Sequence, residues 1–194
     1  MYTFKKYGFM KQIFLIVCFL LVLLLGNCQE HKNSIEVTIQ DGEQFPDFLV
    51  GTWKADNGNW EIVFEPDGKI SSAVISLGHV RIKPGKTTTI PMKLGGKGVF
   101  EPGTWTVQYL HQQRELIVEI AIENFHTELN GEIVRGNTRD IFIGPVSNDG
   151  KLWWVERYTF PEYIVDTKTY RDYKLPFDPN ENPWESLIFE KIPE

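Results

Sequence analysis

The stretch Glu115-Leu116-Ile117-Val118-Glu119-Ile120-Ala121-Ile122-Glu123 places Leu116, Val118, Ile120 and Ile122 on one parity and Glu115, Glu119 and Glu123 on the other. A period of two is the mark of a strand with one buried and one solvated face. Glu119 and Glu123 therefore read as solvent-facing, not as a buried acid pair. Working outward, the same pattern recurs. Downstream, Asn130-Gly131 is a strong hairpin signal that leads into Glu132 to Ile143, and Asn148-Asp149-Gly150 turns the chain into Lys151 to Phe160. Leu187 and Phe189 suggest a last strand. Upstream, Trp105, Val107 and Tyr109 alternate with Thr104, Thr106 and Gln108. Val80 and Ile82 alternate with His79, Arg81 and Lys83. Trp60, Ile62 and Phe64 alternate with Glu61 and Glu65, and Asp67-Gly68 then turns the chain into Ile70, Ser72 and Val74. Roughly nine or ten strands joined by short turns predict an all-β fold. A flat sheet of that many strands leaves long open edges, so the meander is expected to close into a barrel, with a β-sandwich as the alternative.

Two short motifs refine this. Leu49-Val50-Gly51-Thr52-Trp53 is followed by Trp60-Glu61-Ile62-Val63-Phe64-Glu65-Pro66-Asp67-Gly68. A second copy of the theme, Pro102-Gly103-Thr104-Trp105-Thr106-Val107, precedes Glu115-Leu116-Ile117-Val118. A glycine at a strand start allows close backbone approach, and a tryptophan two residues on can stop one end of a barrel with a large apolar surface. Over residues 46–120 this arrangement resembles the bacterial lipocalin-like, calycin-type domains of lipoproteins. The resemblance implies an antiparallel lipocalin-like β-barrel. It implies that Gly51 and Trp53 close the base, with Arg157 lying over the indole as a cation–π lid; a surface position for Arg157 is the alternative. It also implies a ligand cavity lined from inward positions such as Trp105, Tyr109, Trp154 and Tyr158. Arg81 and Lys83 at the mouth would meet an acidic head group.

The N-terminus carries Lys5, Lys6 and Lys11 and no acid before an unbroken apolar run, Ile13 to Leu25, of 13 residues. A membrane-spanning helix needs about 20 apolar residues, so the run reads as a secretory signal. It ends Leu25-Gly26-Asn27-Cys28, which resembles the lipobox of bacterial lipoproteins; an ordinary cleaved signal and a short uncleaved anchor are the alternatives. On this reading residues 1–27 are a lipoprotein signal peptide. Residues 28–44 are a polar tether, and 45–194 the β-barrel domain. Ile35 to Gln40 alternates weakly and fits either a first strand or more tether. Cys28 would carry diacylglycerol and an N-acyl chain such as palmitate, which holds a membrane better than one chain does. Cys18 leaves with the signal, and the loss of three lysines takes the formal charge from −6 to −9. The expected location is extracytoplasmic, on the bacterial cell membrane or outer membrane.

Composition removes several function classes. The negative charge disfavours nucleic acid as a partner. Two cysteines are too few for a disulfide scaffold. No nucleophile elbow, metalloprotease helix, phosphate loop or dinucleotide fingerprint is present, so no catalytic residue and no cofactor are assigned. His126 and Glu128 share a strand face, and with His111 they would make a metal set; a solvated hairpin end is the simpler reading, and no metal site is assigned. His31 reads as solvated. From Gly68 to Phe100 there is no acid, only Lys69, Arg81, Lys83, Lys86, Lys93 and Lys97, which suits either an anionic contact or lysines guarding edge strands. The tail from Lys174 to Trp184, with three prolines, reads as a draped loop. The expected function is a lipid-anchored envelope protein that binds a small apolar or amphipathic ligand. The alternative is a non-catalytic structural or interaction lipoprotein with a filled core; a hydrolase or isomerase ranks below both. The oligomeric state stays open.

Overall fold

The structure is a computed structural model that describes residues 35–40, 44–129, 132–165 and 184–193. The expected signal peptide, Cys28, His31, the expected spacer up to residue 34, the Asn130-Gly131 pair and tail residues 174–183 lie outside the described residues. Residues 33–194 form a compact unit of their own.

The alternation seen in the sequence becomes twelve strands in one sheet. They are β1 (Ile35–Ile39), β2 (Gly51–Ala55), β3 (Glu61–Phe64), β4 (Ile70–Ile75), β5 (Val80–Ile82), β6 (Thr88–Pro91), β7 (Lys97–Pro102), β8 (Trp105–Leu110), β9 (Glu115–Leu129), β10 (Glu132–Pro145), β11 (Leu152–Val165) and β12 (Trp184–Lys191). The all-β expectation holds. The hydrogen-bonded path runs β1-β8-β9-β10-β11-β12-β2-β3-β4-β5, with β6 and β7 on a side branch. Leu129, the last residue of β9, pairs with Glu132, the first of β10.

The barrel closure is not made. The two ends of the path, β1 and β5, are not paired with each other. Two local causes are visible. Strand β5 is only three residues long, and the chain turns at once through a Lys83–Lys86 bridge around Pro84-Gly85. Then β6 leaves the path to pair with β7, and β7 docks on the outer half of β9. The free edge of β9 is thus shared, β8 taking Glu115–Glu119 and β7 taking Ile122–His126. Gly103, between β7 and β8, donates its amide to the Ala121 carbonyl at 2.9 Å and keeps both collinear strands against β9.

The sheet nevertheless curls tightly. Trp60, immediately before β3, meets Phe142 of β10 edge-on with ring centroids 4.8 Å apart. Four steps along the strand order separate β10 from β3, roughly 19 Å in a flat sheet at about 4.8 Å per strand. Contact at ring distance therefore requires the concave face to fold over on itself. Trp53, Trp60, Trp105, Trp153, Phe142 and Phe189 fill that face, each at most 1 % exposed. At about 25 cal/mol per Å2, burying such rings dominates the stability of the domain.

Strand β1 resolves the choice left open at Ile35 to Gln40. It pairs in parallel with β8, Ile35 opposite Trp105 through Ile39 opposite Tyr109. The β domain therefore starts ahead of residue 45, and the segment left for a tether is shorter than 28–44.

Candidate functional site

Both Gly-x-Trp motifs build the same local device. Gly51 opens β2 with φ +113°, a value that L side chains rarely adopt. Trp53, fully buried, donates its indole N–H to the Leu49 carbonyl at 2.8 Å. In the second copy, Trp105 donates to the Ala121 carbonyl at 3.0 Å, and a Cβ on Gly103 would stand 2.9 Å from Glu123 Cγ. In each copy the tryptophan sinks inward with its one donor satisfied; Gly51 serves through its positive φ and Gly103 through the close approach of β9.

Arg157 is an inward-facing cation, not a surface one. Its guanidinium lies 5.0 Å from the centre of the Trp60 ring. The cation–π contact implied by the resemblance is therefore present, but on Trp60 instead of Trp53. Arg157 Nη2 and Nε reach Asp140 Oδ1 at 2.8 and 3.0 Å, and Nη1 pairs with Glu185. Asp140 is 4 % exposed. Burial holds its carboxyl above the ordinary aspartate range, against the opposing pull of Arg157 and of a hydrogen bond from Thr159. Alternating inward positions of β10 and β11 position the group, with Asp140 diagonal to Arg157 through the Phe142–Arg157 and Asp140–Thr159 pairs. Neither Asp140 nor Glu185 was singled out from the sequence. The available signal was a lone acid on the same parity as Phe142.

The convex face of β9 to β12 is different in kind. Trp154 is 44 % exposed, Phe160 47 %, Trp184 54 % and Ile188 39 %. These are four of the six large hydrophobics exposed among the described residues, and all lie on two adjacent strands. Trp154 pairs across with Ile188, and Tyr158 with Trp184. A solvent-open depression of about 550 Å3 sits here, walled by Ile143, Pro145, Trp154 and Ile188, with Glu115 and Glu156 on its border. The Tyr158 hydroxyl donates to Glu156 at 2.9 Å. At the far end Arg139 lies over the Phe160 ring, 5.1 Å from its centre.

The proposed lining does not come together. Trp105 and Tyr109 are buried on the concave side, 0 and 1 % exposed, whereas Trp154 and Tyr158 stand on the convex side. The physical reason is parity: in Trp153-Trp154-Val155-Glu156-Arg157 it is Trp153, Val155 and Arg157 that point inward. Arg81 is already engaged, with Glu61 at 2.5 Å and Ser72 at 3.1 Å, so it is not a free anion contact. Lys83 is exposed in the turn after β5. Glu128 accepts the Leu94 amide at 2.7 Å, and no cluster of metal-ligating side chains occurs among the described residues. No family model, no curated protein and no solved structure matches this chain.

Proposed function

We propose that this chain is a lipid-anchored envelope protein, tethered through Cys28, whose lipocalin-like curled domain acts by surface contact instead of enclosing a ligand. The observation that carries the reading is the contrast between the two faces of the sheet. The concave face is filled by Trp53, Trp60, Trp105, Trp153, Phe142 and Phe189, and the buried Asp140–Arg157 group on it is internally paired. The convex face of β10 to β12 instead leaves aromatic and aliphatic side chains in water around a depression of about 550 Å3. Contiguous apolar surface of this sort marks an interaction site more often than it marks an idle surface. The anchor is supported by the basic leader, the apolar run and the Leu25-Gly26-Asn27-Cys28 sequence.

Two measurements test this. Metabolic labelling with a palmitate analogue should mark the wild type and not Cys28→Ala; an unlabelled wild type would refute the anchor. Native mass spectrometry of the purified domain should show the bare chain. A stoichiometric co-purifying small molecule, retained by a Trp154→Ala variant, would place the ligand inside and overturn the surface reading.

A further inference from the structure

Resting on the reading of the convex face as a contact surface, we propose that its depression receives basic, apolar polypeptide: lysine or arginine side chains set among aliphatic ones. Six residues define the site. Trp154 and Ile188 form a cross-strand pair on one side, and Glu115 pairs with Pro145 on the other. Ile143 lies between, flanked by Glu156 on β11 and Ile117 on β9. The result is an apolar floor with a carboxylate on each border and a half-exposed indole beside them.

Each part asks for the same chemistry. An exposed indole face attracts an ammonium or guanidinium group, and the aliphatic stem of Lys or Arg packs on Ile143, Pro145 and Ile188. Glu115 and Glu156 supply the opposite charge. Among the described residues neither is neutralised by a cation: the only ion pair on this face is Arg139 with Glu119 at 3.9 Å, further along the strands. An anionic lipid surface is disfavoured by the same two carboxylates, because like charge repels at close approach. A polypeptide with alternating basic and apolar residues matches both the floor and its border. Outward positions on one strand recur about every 6.8 Å, the spacing of alternate side chains on an extended partner.

The test uses residues 33–194, which form one compact unit and contain every core residue named above. Calorimetric titration compares a lysine–leucine alternating octapeptide with its glutamate–leucine counterpart. The lysine peptide should bind, and the glutamate peptide should not. The double variant Glu115→Gln, Glu156→Gln should weaken the lysine peptide about ten-fold, and raising salt should weaken the wild type towards the same value. Trp154→Ala should weaken it comparably. Glu156→Gln alone, which keeps shape and packing, serves if the others misfold. The proposal is overturned if the lysine peptide fails to bind, if both peptides bind alike, or if the carboxamide variants bind as the wild type does. Sedimentation with phosphatidylglycerol vesicles but not with the peptide would overturn it in favour of a membrane surface. None of these results bears on palmitate labelling at Cys28, so failure here is distinguishable from failure of the anchor.

Discussion

Arg157 is held by three groups at once, the Asp140 carboxylate, the Glu185 carboxylate and the face of Trp60. Removing it leaves Asp140 buried without its cation. Arg157→Met should cost about 3–5 kcal/mol at neutral pH, read from the urea midpoint. The pH dependence has a definite sign. Burial raises the folded-state value of Asp140, so the protonated form is the one the fold favours. Its contribution is fully present below the unfolded value and is lost as pH rises through the folded one. Without Arg157 that value rises further, so the variant's deficit should shrink in mildly acidic buffer; a deficit independent of pH would contradict this account. Gly144 is a second sensitive residue. A Cβ there would stand 1.8 Å from the Trp154 carbonyl oxygen, so Gly144→Ala must push β10 from β11. Trp153, which donates its indole to the Gly144 carbonyl at 3.1 Å, would move too. The expected outcome is a loss above about 3 kcal/mol, or no soluble protein. Neither effect was legible from one strand at a time. In Trp153-Trp154 both parities offer an indole. The outward set of Trp154, Tyr158 and Phe160 looks the more apolar because the inward set contains Arg157. Its partners, Asp140 and Glu185 on the two neighbouring strands and Trp60, make that arginine an inward residue.

At the scale of elements, local pattern and short turns carried most of the information. Strands β3 to β5 and β8 to β11 follow from alternation and from Asp67-Gly68, Asn130-Gly131 and Asn148-Asp149-Gly150. What local pattern does not contain is partner choice over distance. The parallel pairing of β1 with β8 joins residues seventy apart, Ile35 and Trp105, and no turn chemistry announces it. The branch of β6 and β7 is likewise invisible, since nothing in β9 shows that its edge is shared. The Gly-x-Trp motifs were legible as devices, and they invite a direct comparison. Gly51→Ala meets only an ordinary van der Waals contact, Lys191 Cε at 3.5 Å, so its penalty is the backbone strain alone, about 1–3 kcal/mol. Trp105→Phe keeps most of the apolar surface and removes the indole bond to the Ala121 carbonyl, which still accepts the Gly103 amide, at about 0.5–1.5 kcal/mol. Thermal unfolding of both variants would check the two values.

For the whole molecule, the curl of the sheet separates a filled concave face from an open convex one. A ten-strand path that folds over its own aromatic rings has used its concave side for stability, which leaves the convex side and the edges for contact. The sequence spoke to the class of fold and to an N-terminal address. It was silent on which face would be filled, because cavity volume depends on how strands four apart approach one another, not on any strand's own pattern.

The place of β1 has a mechanical consequence. In a chain held at Cys28, tension from the envelope enters the domain at Ile35, the first residue of β1. Because β1 runs alongside β8 in the same direction, a pull from that end loads its five paired positions together, in shear, instead of unzipping them singly. Single-molecule extension from residue 33 should therefore show one abrupt rupture at a force well above that for peeling from Glu194, so that β1 would serve as a clamp were the chain anchored at Cys28 as proposed.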